Sequence, residues 1–163
     1  DVNASLNTPL PKLKNVSLGF TLIELMVTIA VLAIIAGIAA PNISTQLANQ
    51  RVKSTTATLV NALKEAKAES IIRRQNITLS YDNDSNPKVI IISGSEANPI
   101  ANYSYNDESE IVSALETITF EPSKRVTATV TYTVCDSNTS VQPRVISVSR
   151  VANITDQVGG SCQ

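Results

Sequence analysis

Glu24 is the only ionisable residue in the apolar run from Phe20 to Ala40. A carboxylate within hydrocarbon costs on the order of 2.5–3.5 kcal/mol at the centre of an inserted helix. Glu24 lies one turn from the start of the run, where the cost is lower and the positive end of a helix dipole is close. The chemistry this offers is ion pairing: a carboxylate in an apolar setting that needs a positive partner. The second chemistry-bearing pair is Cys135 and Cys162, the only two cysteines of the chain. In an extracytoplasmic domain they most simply make one disulfide, worth roughly 3–4 kcal/mol through loop closure. In a reducing compartment they would be two free thiols.

Other chemistry is excluded by composition. The chain has no histidine and no tryptophan, so His-based triads, HExxH zinc sites and Cys2His2 sites cannot form. Neither GxGxxG nor GxxxxGK[ST] occurs, which leaves nucleotide binding unsupported. Thirteen basic and fourteen acidic residues give a net charge of −1, with no block of like charge. No enzymatic activity, cofactor or metal is expected, and nucleic acid is not expected as a partner.

The elements that position these residues follow from periodicity. The run Phe20–Ala40 matches the roughly 20 apolar residues of a membrane-spanning helix. Lys12 and Lys14, just before it, hold that end in the cytoplasm by the positive-inside rule and place the C-terminal body on the far side. Ala30, Ala33, Ala36, Gly37, Ala39 and Ala40 permit neighbouring helices to approach closely. Pro41 should kink or interrupt the helix. Beyond Asn42 a stripe at spacings of three and four resumes: Val52, Thr56, Leu59, Leu63, Ala66 and Ser70. Arg51, Lys53, Lys64 and Lys67 lie mostly off it. Helix from Phe20 to about Arg74 would measure roughly 80 Å at 1.5 Å per residue.

After Gln75 the pattern changes to period two. Ile77–Tyr81, Lys88–Ile92, Thr117–Glu121, Val126–Val134 and Arg144–Val151 read as strands. Asp82-Asn83-Asp84-Ser85-Asn86-Pro87 reads as a turn, and Asn98–Asp107 and Ser137–Pro143 as loops. The expected fold is α+β: one long helix whose second half packs on a small antiparallel sheet. The expected organisation is a leader over 1–19, a transmembrane helix over 20–40, its amphipathic continuation over 41–75 and a periplasmic β-rich domain over 76–163. A start at Asp1 rather than Met suits a fragment or an N-terminal extension.

Gly19-Phe20-Thr21-Leu22-Ile23-Glu24-Leu25, followed by the apolar run and Pro41, resembles the N-terminus of type IV pilins and type II secretion pseudopilins. The resemblance implies cleavage by a prepilin peptidase between Gly19 and Phe20, N-methylation of Phe20, and an assembly contact at Glu24. In that role Glu24 pairs with the free amine of a neighbouring subunit's first residue. Pairing with the amine of its own chain is the alternative. The remainder is similar to H-type pseudopilins and FimT/FimU minor pilins. Its matching features are the helix through Ala66-Lys67-Ala68-Glu69-Ser70, Cys135-Asp136, and the strand Arg144-Val145-Ile146-Ser147-Val148-Ser149. The implied partners are other pilins or pseudopilins in a filament or tip complex, the prepilin peptidase and the bacterial inner membrane. The implied function is a structural subunit for pilus assembly or type II secretion, with DNA uptake as the alternative.

Three sharper readings compete with plain ones. Arg73-Arg74, Lys124-Arg125, Arg144 and Arg150 could form a strip for DNA phosphates, but in sequence they are dispersed and balanced by Glu65, Glu69, Glu121 and Asp136. Some FimT-like proteins bind DNA through a C-terminal Gly-Arg-x-Arg element, whereas this chain ends Val158-Gly159-Gly160-Ser161-Cys162-Gln163. Asp82, Asp84 and Asn86 alternate like an EF-hand loop but lack its Gly and late Glu, which favours a turn. Asn-x-Ser/Thr triplets such as Asn76-Ile77-Thr78 are chance in a chain rich in these residues.

Overall fold

The computed structural model describes residues 19–95 and 98–162. Helix α1 (Leu22–Arg73) precedes β1 (Ile77–Asp82), β2 (Val89–Ser93), β3 (Pro99–Ser104), β4 (Ser109–Ser113), β5 (Thr117–Glu121), β6 (Arg125–Val126), β7 (Val130–Asp136), β8 (Arg144–Val148) and β9 (Ile154–Val158). The chain divides between Ala39 and Ala40. The leader expected over 1–19 lies, apart from Gly19, outside the described residues, as do Lys12 and Lys14.

The strands form two antiparallel sheets rather than one, ordered β3-β2-β1-β5-β6 and β4-β7-β8-β9. The second half of α1 supplies the third wall of the core. Its expected stripe of Val52, Thr56, Leu59, Leu63, Ala66 and Ser70 is buried throughout, joined by Ala48, Thr55 and Ala62. Two polar members of the stripe are satisfied within the helix: Thr56 Oγ1 donates to Val52 O (2.7 Å) and Ser70 Oγ to Lys67 O (2.7 Å). Ile77, Leu79, Ile90, Ile92, Ile118, Phe120, Tyr132 and Ile146 enter the same core from the sheets. The rings of Tyr81 and Tyr132 meet edge to face at 6.1 Å. Burying each Leu or Ile is worth about 1.5–3 kcal/mol. Arg74 ends the helix with φ 53°, the left-handed turn that commonly follows a last helical residue.

The backbone is helical through Pro41. Three expectations need correction. The single strand read over Val126–Val134 is two, with β6 in the five-stranded sheet and β7 in the four-stranded one. Val126, Val130, Tyr132 and Val134 are all buried as alternation requires, but period two cannot register a change of sheet. The loop read over Asn98–Asp107 contains β3, an edge strand, where Pro99 costs no ladder bond. β4 and β9 were missed, and β9 is an edge strand of mostly exposed polar residues.

Two cross-links tie the four-stranded sheet down. Arg51 grips Asp136 with two bonds, Nε to Oδ2 at 2.8 Å and Nη2 to Oδ1 at 2.7 Å, and the Asp136 side chain is fully buried. Next to it, Cys135 is joined to Cys162 by a disulfide. The return path to Cys162 needs glycine at 160: φ is +99°, and a Cβ there would lie 2.6 Å from Val145 Cγ2.

Burial alone would raise the Asp136 carboxyl. The Arg51 hydrogen bonds, the Asn138 N–H and the Arg51 charge outweigh it and hold the group below its ordinary value of 3.8. A carboxyl lowered by folding contributes stability above its unfolded pKa and loses it as pH falls through the lowered value. The wild type should therefore lose stability below about pH 4. Arg51→Met, which strands a buried carboxylate, should cost about 2 kcal/mol or more at neutral pH and show a smaller further loss on acidification. Thermal melts across that range check this, and superimposable wild-type and variant profiles would contradict it.

Candidate functional site

The motif residues sit at the start of α1. Thr21 caps the helix: its Oγ1 accepts the Glu24 N–H at 3.2 Å, and its carbonyl accepts the Leu25 N–H at 3.1 Å. Thr21-Leu22-Ile23-Glu24 thus has the spacing of a capping box, with Glu24 at the third helical position. The Thr-x-x-Glu spacing carries this signal in the sequence itself, where a reading of Glu24 as a charge alone does not register it. The cap fixes where helix begins, and so fixes Phe20 just outside it and Glu24 one turn inside.

Neither space nor backbone conformation requires glycine at 19. A Cβ built there meets nothing within 4 Å, and its φ is not in the left-handed region. Phe20 is 78% exposed, and every described side chain from Gly19 to Ile38 is exposed as well. A helix apolar on all faces is found buried in a membrane or in a large protein core. By length and composition no single helix among the described residues is long and apolar enough to cross a membrane, while Leu22–Ile38 and Ile43–Arg73 pass that test when taken together.

Among the described residues no group of three or more His, Cys, Asp or Glu side chains could hold a metal ion. Asp82 is committed to its turn, where Oδ1 accepts the N–H groups of Asp84 (2.9 Å) and Ser85 (3.1 Å). The basic residues singled out in the sequence divide. Arg73 is paired with Glu69 and Arg144 with Asp156, and the Arg144–Asp156 pair lies across β8 and β9. Arg150, Lys124 and Arg125 come together at one end of the unit, because the Val126 N–H donates to the Arg150 carbonyl.

The profile described as prokaryotic N-terminal methylation motif matches residues 14–40, and that described as type II transport protein GspH matches residues 55–152. The chain belongs to the GspH family. Solved structures share the fold of this GspH-family chain. Type IV minor pilin FimU of Pseudomonas aeruginosa is 22% identical, with 68% of this chain and 99% of that chain covered at a TM-score of 0.58. The minor pseudopilin EpsH from the Type 2 Secretion System of Vibrio cholerae is 10% identical, with 68% and 99% covered at a TM-score of 0.52. No match was found among curated proteins. The GspH-family chain thus shares the pilin-like fold of this minor pilin and this minor pseudopilin. The methylation motif carries the implication of processing by a prepilin peptidase, and the family that of assembly with other pilins.

Proposed function

We propose that this chain is cleaved between Gly19 and Phe20, methylated on the new amino terminus of Phe20, and built through its apolar helix into a filament or filament tip. Before assembly the segment 20–40 anchors it in the inner membrane, with residues 76–163 in the periplasm. The observation that carries this reading is the exposed, largely apolar surface of α1 from Leu22 to Ile38, on which Glu24 is the only charge. In a bilayer lipid covers that face, and in a filament the same face of other subunits does. Both environments are poor in water, so the Phe20 ammonium and the Glu24 carboxylate are each costly alone and favourable together. In a bundle the pair forms between subunits, which sets their axial register. Periplasmic export is consistent with the Cys135–Cys162 disulfide.

The machine served is a type IV pilus or a type II secretion system, since both use the same anchor chemistry.

Glu24→Ala should leave the precursor inserted and processed, while its recovery in sheared filaments or in cross-linked assemblies falls severely. Normal incorporation of this variant would remove the intersubunit role. Gly19→Leu, which the fold itself tolerates because nothing lies near that position, should accumulate as unprocessed precursor on a gel. Normal processing of that variant would contradict the assigned junction.

A further inference from the structure

Strand β9 ends the four-stranded sheet beside α1, and no further strand pairs with its outer edge. Its register against β8 decides which backbone groups that edge presents. The Ser149 N–H donates to Asn153 O (3.0 Å) and the Gly159 N–H to Pro143 O (2.9 Å). Between those bonds Ser147 stands opposite Thr155 and Val145 opposite Gln157, so these β9 residues turn their N–H and C=O to β8. Ile154, Asp156 and Val158 turn theirs outward, where no backbone bond among the described residues reaches them. Their side chains lie on the core side of the sheet. Ile154 stands opposite buried Val148, and Asp156 opposite buried Ile146.

Across from this edge α1 carries a second stripe, distinct from the one that fills the core. Lys53, Ala57, Asn61, Lys64, Ala68 and Ile71 recur at spacings of three and four, and all are exposed. Three adjoining hollows of about 330, 390 and 360 Å³ separate the stripe from the sheet edge. The first two share Lys53 and Arg144, and the third continues between Lys64 and Ile154. Together they form a trough that follows α1 for about 27 Å, the length of about eight extended residues. Ala57, Val60, Ala68 and Ile154 give it small and apolar walls. Its charge is positive. Arg144 is paired with Asp156, whereas Lys53, Lys64 and Lys67 pair with no carboxylate among the described residues.

We propose that this trough is a docking site for an extended segment of a different protein, which adds to β9 as a further strand. Main-chain bonds to Ile154, Asp156 and Val158 supply affinity, and the trough selects the side chains turned toward α1. Those side chains alternate between carboxylates, which meet Lys53 and Lys64, and small apolar groups, which meet Ala57 and Ala68. The two lysines lie about 17 Å apart along the helix, a span of about five extended residues. A second copy of this chain is the poorer occupant. Pairing β9 with β9 would bring Lys53 and Lys64 of one copy toward the same cations of the other. The contact goes beyond the filament reading and makes no use of the segment 20–40.

The test uses the full chain in detergent micelles and a labelled peptide, Thr-Glu-Thr-Val-Thr-Glu-Thr-Val-Thr, followed by fluorescence polarisation. A second peptide carries Lys in place of Glu. The wild type should bind the acidic peptide saturably and the basic one about tenfold or more weakly. Bound peptide should slow amide exchange at Ile154, Asp156 and Val158. Val158→Pro removes an outward N–H and no bond to β8, a place where an edge strand accepts proline. It should weaken the acidic peptide about tenfold, with melts confirming the fold. Lys53→Glu with Lys64→Glu, both on the exposed flank of the helix, should reverse the preference between the peptides. Failure of the wild type to bind the acidic peptide, equal binding of both, or binding without protection of those three amides overturns the proposal. So does a complex that survives Val158→Pro but not the charge reversal, because the lysines then act as a plain anion-binding surface. Self-association that protects the same amides before peptide is added also overturns it, since the occupant is then a second copy. The trough lies wholly within residues 49–158, so its failure leaves the anchor reading intact.

Discussion

The apolar surface of α1 between Leu22 and Ile38 must be covered, and no described residue of the chain covers it. Each Leu or Ile left in water forgoes about 1.5–3 kcal/mol, and this segment carries many. That deficit exceeds the few kcal/mol by which small domains are usually stable. The segment therefore has to be matched by lipid or by other helices. Glu24 is the only charge on that surface, and in the proposed assembly its carboxylate needs a positive partner.

The rest of the chain fits this constraint. The second half of α1 has one buried stripe rather than an apolar circumference, and two sheets close over it. The Arg51–Asp136 pair and the Cys135–Cys162 bridge fasten the four-stranded sheet, in a unit whose core is made largely of small and β-branched side chains. A buried ion pair adds less net stability than its distances suggest, because desolvation offsets much of the attraction. Its effect is to fix the register of the helix against β7. The disulfide beside it acts chiefly on the unfolded chain.

Much of the fold was legible in the residues. The stripe from Val52 to Ser70 and the strands at Ile77 and Thr117 follow from periodicity that burial enforces. What was not legible has physical causes. β3 and β9 are edge strands, where one side of the ladder is free and polar residues or proline are tolerated, so their hydrophobic signal is weak. The Thr127–Thr129 break is invisible to alternation because the same face stays buried as the chain passes from one sheet to the other. At the candidate site, the motif Gly19–Leu25 could be read directly, but the cap by Thr21 was missed. The gathering of Arg125 and Arg150 depends on tertiary pairing across separate turns, and linear spacing made them look dispersed.

In the proposed reading, residues 20 onward are the mature subunit. Mass spectrometry of the protein isolated from bacterial membranes reads this directly. The expected result is an amino terminus at Phe20 carrying a methyl group on its amine. A mature protein that retains Gly19 and the residues before it, or that begins at an unmodified residue elsewhere, would contradict it.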